Sequence, residues 1–260
     1  MSHRAGRALA ALVAVLGAAA VAPAAGAITV DPTVVELSLP PAGRHEGAFH
    51  VLNDGDAPLR VRVEVESLSA AYAPRAPADW LTLAAETVDV PASGRVDVPF
   101  TVQVPDGTSG ELAAMVVFIQ DAPGDGGIQV RFGTAVYAAV RGTEELALEF
   151  GEPYIISGPP PALLLPVTNH GNVHCRPTGS VRVRSDTEML GEAELAVGMP
   201  VAPGGTERFR VPWPGALAPG RPYAIEVAWI CERREDPPVP LQGRFTGIWD
   251  GHAWQSTEQP

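Results

Sequence analysis

The chain has 260 residues and a formal net charge of −12 at pH 7. Such a surface repels nucleic-acid phosphates and anionic lipid headgroups, so neither is an expected partner. The 27 glycines and 27 prolines are spread between short apolar runs, which predicts many turns rather than disorder.

The N-terminal residues 1–27 have the three parts of an export signal. Arg4 and Arg7 give a positive start, and an apolar run follows over residues 8–21. Small residues at Ala25 and Ala27 then provide a cleavage site. The apolar run is short for a membrane span, and no later stretch approaches membrane length. We therefore predict a signal peptide over residues 1–27 and a protein in the periplasm or outside the cell.

From Ile28 onward the sequence consists of short alternating runs divided by turn residues. The first run is interrupted by Pro32, as edge strands tolerate. Residues 53–56 (Asn-Asp-Gly-Asp) form a strong turn signal. Residues 59–68 alternate apolar with charged side chains, which is typical of a half-buried antiparallel strand. About seven or eight such runs without a helical period predict an immunoglobulin-like sandwich.

The last run of the first half, residues 127–142, predicts one long strand. Ile128, Val130 and Phe132 begin one face, and Arg131 lies on the opposite face. That opposite face is polar at first and becomes apolar further along. We therefore expect a strand that starts near solvent and ends buried on both faces.

The second half repeats this plan after a linker near residues 141–146. Strand-like runs recur up to Trp249, and both halves place an Asn-x-Gly turn signal after an early strand, at residues 53–55 and 169–171. The sequence thus predicts an all-β protein of two tandem immunoglobulin-like β-sandwich domains, over residues 28–143 and 144–250. A flexible tail is expected over residues 251–260.

Both cysteines lie in the second half, and in an oxidising compartment they are expected to pair. Cys231 ends a core-facing row on a predicted strand, and Cys175 follows the second strand of its domain. In an immunoglobulin-like topology both positions lie at the same end of the sandwich. A disulfide between Cys175 and Cys231 is therefore predicted.

A metal site in the same region is a weaker alternative. His170, His174 and Cys175 lie close in sequence and Cys231 could approach them, a ligand set that suits zinc or copper. The spacing matches no dedicated finger pattern, and Cys175 would point away from the face that the two histidines share. We expect no metal and no cofactor.

No catalytic constellation is expected either. Paired acids such as Glu64 and Glu66 stand beside arginines, where solvated surface is the ordinary outcome. Ser109 lies in a Gly-rich turn that lacks the strand–Ser–helix context of a nucleophile elbow. We predict a protein that is not an enzyme.

Strand edges remain as a functional feature, because an extended partner segment can add a strand to an unpaired edge. Ile128, Val130 and Phe132, with Arg131 beside them, lie at the half-exposed start of the long strand and would suit alternating pockets. The same apolar side chains would equally fill the core of their own domain. Both interpretations stay open on these residues.

Two stretches, ITVDPTVVELSLPPAG and FHVLNDGDAPLRVRVEVE, resemble the opening of the periplasmic pilus-chaperone (PapD-like) superfamily. The shared features are a Pro-interrupted first strand and a second strand that ends in an Asn-rich turn with a following proline. The resemblance implies two immunoglobulin-like domains after a signal peptide and a protein partner, such as a pilus or surface subunit. It also implies that residues 127–141 are the strand donated to that subunit.

The family's subunit anchor is not reproduced. Pilus chaperones hold the subunit's C-terminal carboxylate with two basic residues, one on the first strand and one on the donated strand. The matching positions here are Val34 and Thr134, and Arg131 faces the other side from Thr134. The resemblance therefore implies strand addition without the carboxylate anchor.

Two further stretches, WLTLAAETVDVPASGRVDVPFTVQVPDGTSGELAAMVVFI and VTNHGNVHCRPTG, resemble the tandem immunoglobulin-like domains of WxL-associated surface proteins. The first domain of those proteins is peptidoglycan-associated. The leading expectation is a periplasmic chaperone-like or assembly accessory protein that binds other proteins by strand-edge contacts. The alternative is a cell-surface or peptidoglycan-associated binding module.

Overall fold

The computed structural model describes residues 28–72, 79–121, 129–185, 188–195, 199–233 and 236–257. The predicted signal peptide, residues 1–27, lies outside these ranges. The described residues form β-strands apart from loops and one short 3-10 helix, Ala70–Tyr72. No helix among them is long and apolar enough to cross a membrane.

The first half of the chain forms two sheets that pack face to face. Their strands are β1 (Ile28–Asp31), β2 (Val34–Leu39), β3 (Arg44–Asn53), β4 (Leu59–Ser67), β5 (Leu81–Leu83), β6 (Thr87–Val90), β7 (Arg95–Gln103), β8 (Glu111–Gln120) and β9 (Val130–Val140). The strand orders of the two sheets are β1-β3-β7-β5 and β2-β9-β8-β4-β6. Alternate apolar side chains meet between the sheets, and Phe49, Val63 and Phe118 are almost fully buried there.

The N-terminal segment changes sheets at Pro32. β1 pairs antiparallel with β3 in one sheet, whereas β2 pairs parallel with β9 in the other. Proline has no N–H to donate to a ladder, so it suits the residue between two pairings. The switch decides how much of β9 is covered, because β2 begins only at Val34.

The second half forms another sandwich with its own core, in which Leu163, Ile225 and Trp229 are almost fully buried. Its strands are β10 (Leu148–Phe150), β11 (Tyr154–Ile156), β12 (Ala162–Asn169), β13 (Arg176–Ser185), β14 (Glu188–Glu194), β15 (Thr206–Pro212), β16 (Arg221–Arg233), β17 (Asp236–Trp249) and β18 (Trp254–Ser256). One sheet has the order β10-β12-β11 with β15 also paired to β12, and the other has the order β14-β13-β16-β17-β18. The all-β prediction is thereby confirmed.

Part of the segment predicted as a flexible tail, residues 251–260, forms a strand. Trp254–Ser256 form β18, which pairs antiparallel with the end of β17. The indole of Trp254 packs against the second core. Gly247 leaves room for it, since a Cβ there would lie 2.5 Å from Trp254 Cζ2. The partly buried Trp254 side chain and the pairing with β17 both hold this short strand. Residues 258–260 lie outside the described ranges.

Candidate protein-binding site

β9 has one edge that is covered only along its C-terminal half. On one side it pairs with β8 along nearly its whole length. On the other side the pairing with β2 starts where Val34 lies opposite Ala135. No described strand therefore pairs with residues 130–134 on that side. Unpaired backbone N–H and C=O groups in a row form a template for another strand. We call residues 130–134 the free edge.

The side chains of the free edge divide between the core and solvent. Phe132 is half-buried and packs against the first core. Val130 is 38% exposed. Arg131 is exposed, and its guanidinium donates a hydrogen bond to the Glu66 carboxylate at 2.5 Å. Phe132 thus serves its own core, and Val130 is available for contact; Ile128 lies outside the described residues.

The two positions that match the family's basic anchor are at the end of the free edge. Val34 is 37% exposed. Thr134 is buried, and its hydroxyl donates a hydrogen bond to the Pro32 carbonyl oxygen at 3.2 Å. Neither side chain carries a charge, so neither attracts a carboxylate.

A charged cluster joins the two sandwiches beside this edge, and the sequence analysis missed most of it. His174 and Arg176, on either side of Cys175, come from the second half, whereas Glu36 (β2) and Glu111 (β8) come from the first. His174 Nδ1 lies 2.8 Å from a Glu111 carboxylate oxygen, and its Nε2 lies 3.5 Å from the Glu36 carboxylate. Arg176 forms an ion pair with Glu36.

The environment of His174 favours its protonated form. Burial acts to lower the pKa of His174, but the hydrogen bonds to Glu111 and Glu36 raise it above the ordinary 6.5. The same hydrogen bond from His174, with the nearby Arg176, lowers the pKa of Glu36 to about 2. Arg176, together with His174 in its protonated form, thus pairs cations of the second half with anions of the first.

Aromatic rings complete the contact between the sandwiches. The Tyr137 ring stacks on the His174 ring with centroids 3.9 Å apart. The guanidinium carbon of Arg176 lies 5.2 Å from the Tyr137 ring centroid. The Tyr72 hydroxyl donates a hydrogen bond to the Glu111 carboxylate at 3.0 Å. A tyrosine face attracts cations, so the rings add to the ion pairs.

A cavity of about 370 Å³ opens where the free edge meets the start of β2. We call it the cleft pocket. Its floor is the outer face of the first sandwich, with Met115, Gly133 and Ala135. The second half supplies the opposite wall through residues that include Met199 and Pro200. Most of this lining is apolar, and it belongs to both halves of the chain.

A disulfide between Cys175 and Cys231 holds the second-half side of the cluster. The two Cα atoms are 5.7 Å apart, and both residues are buried. The backbone of Cys175 also exchanges two hydrogen bonds with Val201, at 3.2 and 2.7 Å. His174 and Arg176 therefore project from a segment that is fixed on both sides.

The two histidines considered as metal ligands do not share a site. His170 is exposed, and its Nε2 lies 2.8 Å from the Glu149 carboxylate. His174 is occupied by Glu111 and Glu36. The disulfide takes up both cysteine sulfurs. A search of the described residues finds no group of three or more His, Cys, Asp or Glu side chains that could hold a metal ion.

Comparison with known proteins identifies the fold. No family model and no curated protein matches the sequence. Among solved structures, the YadV chaperone is 13% identical, covers 84% of this chain and 98% of its own, and has a TM-score of 0.51. A chain from a chaperone–tip adhesin complex of CFA/I fimbriae biogenesis is 10% identical, with the same two coverages and a TM-score of 0.50. The two-domain fold implied by the PapD-like resemblance is thereby confirmed.

Proposed function

We propose that the protein is an exported, chaperone-like or assembly accessory factor that binds another protein by strand addition at the free edge of β9. The single observation that carries the proposal is the row of unpaired backbone groups at residues 130–134, next to the exposed Val130. Strand addition takes its affinity from main-chain hydrogen bonds and its specificity from alternate side chains. The likeness to the YadV chaperone supports the proposal at the level of fold.

Partner and location follow from the same reasoning. Strand addition uses backbone groups and apolar contacts, so the protein works without catalysis and without a cofactor. A pilus or surface subunit is a partner of the appropriate kind, since such subunits present extended segments. The export signal over residues 1–27 would place the encounter in the periplasm or outside the cell.

The free energies expected for the contacts at the free edge indicate why Val130 matters for binding. A net backbone hydrogen bond contributes only about 0.5–1.5 kcal/mol, and the free edge is too short to offer many. Full burial of a valine side chain contributes roughly 1.5–3 kcal/mol, comparable to two such bonds. Val130 is only partly exposed in the free protein, so its burial on binding contributes less than this range. Loss of the Val130 contact would nevertheless weaken so short an interface.

A pull-down from a native periplasmic extract tests the proposal. The tagged wild-type protein is compared with Val130→Glu, which places a charge in the proposed contact. The matched control is Val239→Glu, at a valine of β17 that is 42% exposed. Wild type and the control should retain the same partners by mass spectrometry, whereas Val130→Glu should lose them. Equal recovery by Val130→Glu and wild type would rule out the free edge as the binding site.

A further inference from the structure

We infer that the cleft pocket receives an apolar side chain of the added segment, and that this segment is an internal stretch of the partner rather than its C-terminus. The inference rests on the proposed function and names the chemistry of the partner. Geometry, lining and charge each support it.

The geometry comes from the alternation of side chains along β9. Phe132 and Thr134 point to the core, whereas Gly133 and Ala135 lie on the outer face and line the cleft pocket. A segment paired with the free edge places every second side chain over that same outer face. Gly133 has no side chain of its own, and the end of the flexible Met115 side chain lies over it, with Sδ 2.7 Å from where a Cβ would be. Because Gly133 and Ala135 line the pocket, the outer-face side chain of the added segment next to Gly133 points towards it.

The lining is suited to an apolar side chain. Tyr72 and Tyr137 are 8% and 3% exposed and present ring surface, whereas Met199 is 71% exposed at the mouth. Methionine side chains adapt to differently shaped apolar groups, as Met115 and Met199 would have to do here. The volume of about 370 Å³ falls in the range of ligand pockets and accommodates one leucine, methionine or phenylalanine side chain.

The charges argue against a terminal carboxylate. Of the described residues that line the pocket, Arg176 alone is a cation, and it is already paired with Glu36 and packed on Tyr137. A carboxylate would have to share the single charge of Arg176 with Glu36 and would enter beside Glu207, which also lines the pocket. Burial of an unpaired charge costs far more than burial of an apolar side chain gains.

The course of β2 fixes where the added segment stops pairing. β2 occupies the edge of β9 from Ala135 onward, so an added strand reaches Val34 and then has to leave the sheet. Its last outer-face side chain lies at the pocket as the chain departs. An internal segment can continue into solvent from this point, because the pocket is open at Met199.

The test uses a positional-scanning library of fluorescein-labelled, N-acetylated nine-residue peptides, made as C-terminal amides and as free carboxylates. Fluorescence anisotropy gives Kd for the protein without its signal peptide. We expect one position to favour leucine, methionine or phenylalanine over serine by at least tenfold. Amide and carboxylate forms of the selected peptide should bind within twofold of each other.

Substitutions in the cleft pocket test whether the apolar position of the selected peptide binds there. Gly133→Leu fills the pocket and should weaken the selected amide peptide at least tenfold, whereas Gly158→Leu, in a loop with nothing within 4 Å of the added Cβ, should not. Thermal unfolding of both variants reports on folding. Met199→Glu charges the exposed mouth without entering a core and should also weaken binding.

The outcomes separate the inference from the proposed function. A free carboxylate that binds tenfold more tightly than the amide would overturn the inference, and so would wild-type affinity in folded Gly133→Leu. Strand addition would stand in both cases, provided that Val130→Glu still abolishes binding. Absence of binding by every peptide, or wild-type affinity in Val130→Glu, would count against the proposed function itself.

Discussion

His174 lies at the centre of the charged cluster between the sandwiches. It faces Glu111 on β8, Glu36 on β2 and the Tyr137 ring on β9, with Arg176 beside it and the Tyr72 hydroxyl on the far side of Glu111. When it is protonated, the His174 imidazole is a second cation, beside Arg176, for the carboxylates of Glu36 and Glu111. When it is neutral, Arg176 is the one cation of the cluster, so the electrostatic attraction between the two halves weakens.

The first prediction concerns pH. The pKa of His174 is raised in the folded protein, so its stabilising effect is full below the unfolded value of about 6.5 and disappears as pH rises through the folded value. We expect the free energy of unfolding, measured in urea between pH 5.5 and 9, to fall as the pH rises. Its slope against pH should not exceed that expected when unfolding releases one proton. Glu36, with its pKa near 2, adds nothing in this window.

The controls for this prediction are glutamine substitutions at two histidines. His174→Gln retains hydrogen-bonding capacity but cannot be protonated, so it should lose the slope. His170→Gln removes an exposed histidine that pairs with Glu149 and should leave the slope as in wild type. A wild-type slope in His174→Gln would show that another group is responsible.

Residue-level features were predictable only where the signal is local. Val130 and Phe132 stand out from alternation, because strand side chains repeat every second residue. The cluster does not stand out, since Arg176 and Glu36 are 140 positions apart and His174 and Glu111 are 63 apart. The sequence singles out His174 only as a possible metal ligand, because its carboxylate partners belong to the other half.

At the scale of elements, β9 combines two roles that its sequence had suggested. Residues 134–140 are buried, in agreement with a strand that ends covered on both faces. Residues 130–133 remain exposed or half-exposed. The sequence could not show that β2 would begin to pair with β9 only at Val34, because strand register depends on pairing between distant segments. The strand β18 within the predicted tail is not predictable for a related reason: the fit of Trp254 over Gly247 is a tertiary contact.

The second prediction concerns the disulfide that ties the start of β13 to the end of β16. The bond links residues 56 positions apart, so it restricts the unfolded chain considerably. We expect Cys175→Ala/Cys231→Ala to lower the free energy of unfolding by about 2–5 kcal/mol, measured in urea. Wild type under reducing conditions should show a similar loss. Undiminished stability in the double variant would mean that the bond contributes little to the fold.

At the scale of the whole molecule, Asn172 connects the second sandwich to both the first sandwich and the linker. Its carbonyl oxygen accepts a hydrogen bond from the Glu111 N–H at 3.0 Å. Its side-chain amide donates to the Thr143 carbonyl at 2.9 Å and accepts from the Glu145 N–H at 2.7 Å. Gly110 allows this approach, since a Cβ there would lie 2.7 Å from the Asn172 carbonyl oxygen. Both sandwiches supply walls of the cleft pocket, so the shape of the pocket depends on the contacts that fix one sandwich against the other.

The third prediction links this arrangement to recognition. Asn172→Ala combined with His174→Gln removes the hydrogen bonds of the Asn172 side chain to the linker and the ion pairs of His174 with Glu36 and Glu111. Neither substitution removes an apolar side chain from a core. Small-angle X-ray scattering should then show a broader distance distribution, while far-UV circular dichroism stays unchanged. The selected peptide should still bind at the free edge, but its preference for leucine over serine at the pocket position should fall from at least tenfold to under threefold. This loss is expected because the pocket has walls from both halves, whereas the free edge belongs to β9 alone.

The control for this prediction is Thr168→Ala, which removes an exposed hydroxyl pair with Thr206 on the second sandwich. If the distance distribution broadens and the preference persists, recognition at the pocket does not require the observed orientation of the two sandwiches.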